Sequence, residues 1–439
     1  NDIVLMLSFV KRGLGPDSTR SAHPHGPAAR AARVTLKTCV RHRRVIVGRQ
    51  CRRVPTTIEL VYFNAGGGHR AAAEALVAVL REQRPEWRVR LTDLVPVLDP
   101  QQRWRRLTGF DPEELYNRRL ARGWTLGLGP ELKLLQRLIR FAHEPMVRVL
   151  ARHWDATAPE LVVSLIPNFN RALRESLALA RPRVPYVTVM TDLADLPPHF
   201  WIEPGARQHL VCGTDRAVAQ ALAAGIAPTH VHRVSGMILR PDFYRPPRTD
   251  RDAERCRLGL EGAGPVGLVL FGAHGSNAML QIARLVPETP LVLIAGRHAK
   301  LAERLAALPA RAPRLVLGYT RDVAGWMQLA DFFIGKPGPG CLSEALQQKL
   351  PVIVTRNAWT MPQERYNTEW VREQGVGLVL TRWRELPAAL ASLPSVLPAL
   401  RERVAAIENR ALFELPALFD RLLAPSLGRG VLNASARTP

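Results

Sequence analysis

A chain of 439 residues with 47% hydrophobic content is long enough for two packed domains plus tails, and its 31 Gly and 36 Pro are scattered, which excludes a low-complexity protein. No run of 18 or more apolar residues excludes a transmembrane helix, and Cys39, Cys51, Cys212, Cys256 and Cys341 lack C-x-x-C spacing, which argues against zinc and disulfide frameworks and for a reducing cytoplasm. Of the net charge of +23, twelve Lys/Arg against Asp2 and Asp17 place +10 in residues 1–56 and leave +13 elsewhere, a balance that attracts nucleic acid, anionic lipid or phosphorylated substrates without choosing among them.

Residues 1–56 lack periodicity and read as a disordered basic tail, or as translated upstream sequence, and order is expected from Thr57. Ile58–Asn64 predicts a buried strand, Gly66–Gly68 a turn, His69–Gln83 a helix and Trp87–Leu91 a second strand. A long helical region is expected from Gln101 to His153, then strands at Leu161–Leu165, Tyr186–Met190, His209–Val211 and Val231–Val234, with a helix over Arg216–Ala224. The polar, Pro-rich Arg245–Glu254 reads as an interdomain linker. A second alternation follows, with strands at Val266–Phe271, Leu291–Ala295, Arg314–Gly318, Phe332–Ile334 and Pro351–Val354, then helix from Arg382 to Leu423. The expectation is an α/β protein of two Rossmann-like, doubly wound domains facing across a cleft: 57–245, then 246–424, with 425–439 as a tail.

Three segments carry chemistry. Asn64-Ala65-Gly66-Gly67-Gly68-His69-Arg70 lies between strand and helix, where glycines let the backbone turn tightly and aim N–H groups at a ligand. An imidazole at this mouth suits proton abstraction from a hydroxyl, and the plainer reading is a solvent-facing capping histidine. Gly335–Leu346 repeats the geometry: Gly338, Pro339 and Gly340 form a turn that can cradle a phosphate, and Glu344, expected in the first helical turn, either grips a ribose diol or simply favours the helix dipole. In Trp359–Asn367 the side chains of Gln363, Glu364 and Asn367 are spaced to meet sugar hydroxyls, or form an ordinary helix start.

Taken together, GGGHRAAAEAL (66–76), VTVMTDLADLPPHFW (187–201), CGTDRAVAQALAAGI (212–226), VHRVSGMILRPDFY (231–244) and GKPGPGCLSEALQQKLPVIV…MPQERYN (335–367) resemble the monogalactosyldiacylglycerol synthase family, collinearly over roughly 57–385. That family is akin to the bacterial transferase that adds N-acetylglucosamine to a lipid-linked muramyl pentapeptide. The resemblance implies a GT-B fold with the acceptor domain first and the UDP-sugar domain second. It implies that His69 activates or binds the acceptor near Gly66, Gly67 and Gly68, and that Asp192 aligns His69 or touches the acceptor. It makes Glu344 the ribose ligand and Gln363 and Glu364 contacts to the donor sugar, with Asn367 in the same segment. The loop Phe271–Asn277 is less glycine-dense than the family's; Gly272, Gly275 and Ser276 are still expected to face the diphosphate, and the departure puts the donor sugar in question.

The expected reaction is inverting transfer of a hexose from a UDP-sugar to a lipid, with diacylglycerol as acceptor. UDP-sugar is a co-substrate, and no cofactor or D-x-D metal motif is expected. Residues 101–150 hold ten Lys/Arg against five Asp/Glu. There Trp104, Trp124, Leu132, Leu134, Leu135, Leu138, Ile139 and Phe141 mix with Arg and Lys, which suits a helix on an anionic membrane or a core helix with a basic face. The expected location is cytoplasmic, peripheral at the inner face of the cytoplasmic membrane. An epimerase or hydrolase acting on UDP-sugars, or transfer to another lipid-linked acceptor, is the alternative. No nucleic-acid partner is expected, for want of a zinc-finger, RNA-recognition or clear helix-turn-helix signature.

Overall fold

The computed structural model describes residues 55–64, 67–100, 128–247, 249–260 and 264–435. The first half runs β1 (Thr57–Tyr62), α1 (Gly68–Gln83), β2 (Arg88–Asp93), α2 (Leu94–Leu98), α3 (Leu128–Phe141), α4 (His143–Thr157), β3 (Leu161–Ser164), α5 (Asn170–Ala180), β4 (Tyr186–Val189), β5 (His209–Cys212), α6 (Asp215–Ala223) and β6 (Val231–Arg233). The second runs α7 (Arg251–Arg257), β7 (Gly267–Leu270), α8 (Ala278–Leu285), β8 (Leu291–Ile294), α9 (Ala299–Ala306), β9 (Arg314–Leu317), α10 (Val323–Gln328), β10 (Phe332–Gly335), α11 (Pro339–Gln347), β11 (Val352–Thr355), α12 (Arg365–Gln374), β12 (Gly377–Leu380), α13 (Leu386–Ala405) and α14 (Ala411–Ser435).

Each half builds a six-stranded parallel sheet, ordered β2-β1-β3-β4-β5-β6 and β12-β11-β10-β7-β8-β9. Helices cover both faces, so the central strands are short continuous apolar runs: LVVS, YVTV, LVLI and FFIG are wholly buried. Strand order reverses between β1 and β3 in one sheet and between β7 and β10 in the other. At such a reversal the loops leaving the carboxyl ends of neighbouring strands diverge and open a crevice. Both glycine turns singled out in the sequence stand at these two crevices.

Four elements differ from expectation. The segment Arg245–Glu254, expected as a linker, ends in helix α7 (Arg251–Arg257), because Asp250 caps it by accepting from Asp252 N and Ala253 N while Arg251 and Arg255 bind the buried Asp331. Of the long helix expected over Gln101–His153, residues 101–127 lie outside the described residues, and the remainder is two helices that meet at Ala142. Strand β12 went unread because its GLVL is short and only Leu380 is fully buried. The helix expected over Arg382–Leu423 is two, α13 and α14, and α14 runs on to Ser435 through most of the expected tail 425–439; it packs back on the first sheet's layer. Leu412, Leu415, Leu418 and Phe419 join Leu76, Leu80 and Ile58 in one core.

Candidate active site

The first crevice gathers His69, Thr191, Asp192 and Trp201. Gly67 takes φ of 79°, a left-handed conformation that turns the chain from β1 into α1, and no side chain caps the helix. His69, in its first turn, packs tilted against Trp201 with ring centroids 6.0 Å apart. Its Nδ1 lies 3.1 Å from Thr191 Oγ1, and the Leu165 carbonyl accepts from the ring. Burial drives its pKa down to about 4, the carbonyl opposing the shift, so the imidazole is neutral near pH 7. Such a ring can take a proton, and it is not the solvent-facing cap of the plainer sequence reading.

Asp192 does not bond His69. Its Oδ2 accepts from Trp201 Nε1 at 2.8 Å, and Thr191, its chain neighbour, supplies the contact to the imidazole instead. Burial raises the Asp192 pKa to about 7, the Trp201 bond opposing the shift; Glu364 adds to it and Lys336 counters it. Those last two groups belong to the second half of the chain. Tyr366 packs on Leu193 and Ala194 at the same boundary, beneath Arg216 at 5.9 Å. The two crevices therefore face each other. Asp195 holds the loop below by accepting from the His199 and Trp201 amides at 2.9 and 2.6 Å.

In the second crevice, Gly272 and Gly275 adopt φ of 77° and 62°, and a side chain on Gly275 would stand 2.6 Å from the Ala295 carbonyl oxygen. Ser276 turns inward as a helix start, its Oγ accepting from Ala278 N at 3.2 Å. Across from this loop Pro339 opens α11 as its first residue, where a missing N–H costs nothing. The Gly340 and Cys341 amides stand in the first turn of α11, where backbone N–H groups have no intrahelical acceptor, and no side chain caps the helix. A Cβ on Gly340 would meet nothing within 4 Å, so open space faces it. One on Gly338 would stand 3.0 Å from Lys336 Cε.

Glu344 is the sixth residue of α11, not in its first turn, so the helix-dipole reading does not hold. Its half-buried carboxyl makes no hydrogen bond among the described residues, and burial lifts its pKa to about 7 against the pull of Arg240. Glu364 closes a short 3-10 turn, Pro362–Glu364, is 4% exposed and accepts from Lys336 Nζ at 2.8 Å. Gln363 is half-buried, with Nε2 3.7 Å from Met361 Sδ. Asn367 is fully buried and donates to the Pro337 carbonyl at 2.7 Å, so it fixes the 337–340 turn from behind. Gly66 lies outside the described residues. Lys336, Thr191 and Trp201 received no role from sequence; the proximity of Lys336 to two glycine turns was the missing signal.

Two parallel six-stranded sheets with glycine turns at both reversals define the GT-B class of fold. Among solved structures the chain superposes on MurG of Acinetobacter baumannii with TM-score 0.52 at 14% identity, covering 84% of this chain and 100% of that one. It also superposes on a putative UDP-N-acetylglucosamine 2-epimerase from Listeria monocytogenes with TM-score 0.50 at 13% identity, covering 83% and 95%. No protein-family model matches the chain. In sequence it is similar to monogalactosyldiacylglycerol synthases, as the motifs suggest. It is 28% identical to the chloroplastic enzyme of Spinacia oleracea over 356 residues, 76% of this chain, and 26% identical to synthase 1 of Arabidopsis thaliana over 347 residues, 74% of this chain. The aligned regions span 65% and 62% of those relatives' lengths.

Proposed function

We propose that the chain is an inverting glycosyltransferase that moves a hexose from a UDP-sugar to a lipid acceptor, diacylglycerol first among candidates. The observation that carries this reading is the opposition of a neutral His69 in one crevice to an uncapped, glycine-lined helix start in the other. UDP lies on the second half, with its diphosphate against Gly272, Gly338, Gly340 and the α11 amides and its ribose at Glu344. The acceptor hydroxyl approaches from the His69 side. Its oxygen forms the new bond to the anomeric carbon, the bond from that carbon to the diphosphate oxygen breaks, and UDP departs with the electron pair. The hydroxyl proton passes to His69, while the helix amides meet the charge growing on the diphosphate. Thr191 holds the imidazole in place. No metal is assigned a step, and EDTA is expected to leave the rate unchanged.

A lipid acceptor requires contact with a membrane, and α3 offers one. Leu134 and Phe141 are 42% and 61% exposed beside the exposed Arg137 and Arg140, while Ile139 turns into the core. Trp104 and Trp124 lie outside the described residues. No helix among the described residues is long and apolar enough to cross a membrane. The proposed location is the cytoplasmic face of an anionic membrane, and capture by phosphatidylglycerol vesicles but not by phosphatidylcholine vesicles is the expected result. The reaction itself is tested by incubating the protein with a panel of UDP-sugars, with and without diacylglycerol, and identifying products by mass spectrometry. A new glycolipid formed only when lipid is present supports transfer. A changed or hydrolysed UDP-sugar without lipid supports an epimerase or hydrolase instead.

A further inference from the structure

Lys336 stands between the two glycine turns of the second crevice. Its Cε is 4.0 Å from the position a Cβ would take on Gly272 and 3.0 Å from that on Gly338, so it touches the loop after β7 and the loop after β10 together. Its Nζ lies 3.3 Å from the Gly338 position and 2.8 Å from Glu364 Oε1. Glu364 is nearly buried while the Lys336 side chain keeps 36% of its surface exposed, so the carboxylate is the more enclosed partner of the pair. Asp192 faces the pair from the first half of the chain and senses both charges. A glycine at 338 thus leaves room for a cation as well as for a ligand backbone, which a side chain there would crowd.

We propose that Lys336 is the cation that compensates the donor's diphosphate, seated between the two glycine turns and aimed by Glu364. The ammonium, paired with Glu364, sits where phosphate oxygens would meet the first-turn amides of α11. Glu364 then acts through Lys336 as a positioning residue, in contrast with the direct sugar contact that its motif implies. The charge matters most as the sugar–diphosphate bond breaks and negative charge collects on the leaving group, so Lys336 contributes to turnover as well as to binding. This inference rests on the donor-site reading above.

The test is calorimetric titration of UDP and of uridine into the wild-type protein, Lys336→Met, Lys336→Gln and Lys336→Arg, with melting curves for each. Lys336→Gln keeps a hydrogen-bond donor for Glu364 without the charge, and so guards against misfolding of the Met variant. Loss of one charge-assisted contact predicts UDP binding about 10- to 100-fold weaker in the Met and Gln variants, uridine binding within about 2-fold of wild type, and partial recovery in the Arg variant. Equal weakening of UDP and uridine, or unchanged UDP binding, would overturn the role of Lys336. Failure of the wild-type protein to bind either nucleoside compound would instead sink the donor-site reading itself.

Discussion

At the scale of single residues, the site is built from groups held away from their ordinary ionisation. Asp192 and Glu344 both titrate near pH 7 because burial penalises their charge, and His69 stays neutral down to about pH 4 for the same reason. For Glu344 the folded state binds a proton that the unfolded state has released between about pH 4.5 and 7, so stability falls as pH rises through that window, and the cost is complete above it. Glu344→Gln is therefore expected to melt higher than wild type at pH 8 and at the same temperature at pH 4, while losing UDP affinity; equal melting at pH 8 would show that the carboxyl is not strained by burial. For Asp192, ionisation places a negative charge on the loop that holds His69, which would favour an imidazolium in the proposed transfer. The rate is expected to rise with pH through about 7, and Asp192→Asn to flatten that limb. Much of this residue level was legible in sequence: His69, Glu344, Gln363 and the glycines stand in recognisable strand-to-helix turns. The burial of Asn367, the bond from Asp192 to Trp201 and the pairing of Glu364 with Lys336 depend on loops distant in sequence.

At the scale of elements, the two glycine turns answer to different constraints. Gly275 is demanded by the fold, since its φ is positive and a Cβ would meet the Ala295 carbonyl oxygen at 2.6 Å. Gly340 is not, since the space before it is open. Gly275→Ala is expected to lower stability by about 1–3 kcal/mol, measured by urea unfolding, whereas Gly340→Val is expected to melt close to wild type and lose UDP binding by obstructing the start of α11. The strands were readable because those at the sheet centres are continuous apolar runs. Helix α7 was not, because Arg251–Arg257 buries no residue fully and is held by guanidinium contacts to Asp331.

At the scale of the whole molecule, the chain crosses between its halves twice, and the crossings are stitched together. Asn409 Nδ2 donates to the Met237 carbonyl at 2.9 Å, Glu414 accepts from Ser235 N at 3.1 Å, and Arg84 pairs with Asp420. Gly236 lies so close to Asn409 that a Cβ would stand 2.7 Å from its Cγ. Helix α14 thus supplies core to the first sheet, and truncation before Ala411 is expected to expose the apolar face of α1, seen as dye binding and loss of cooperative melting. The sequence reads one Leu-rich helical region from Arg382 to Leu423, and only the structure divides it into α13 and α14 and shows which sheet α14 covers. Across the boundary between the halves, Asp192 faces Lys336 and Glu364.

The proposed function has UDP gripped by one half while His69 of the other takes the acceptor's proton. It is tested most directly by measuring UDP affinity and the rate of glycolipid formation together in His69→Ala. The expected result is a UDP dissociation constant within about 2-fold of wild type and a transfer rate lower by roughly 10²- to 10⁴-fold. Transfer at the wild-type rate, or a loss of UDP binding that matches the loss of rate, would contradict it.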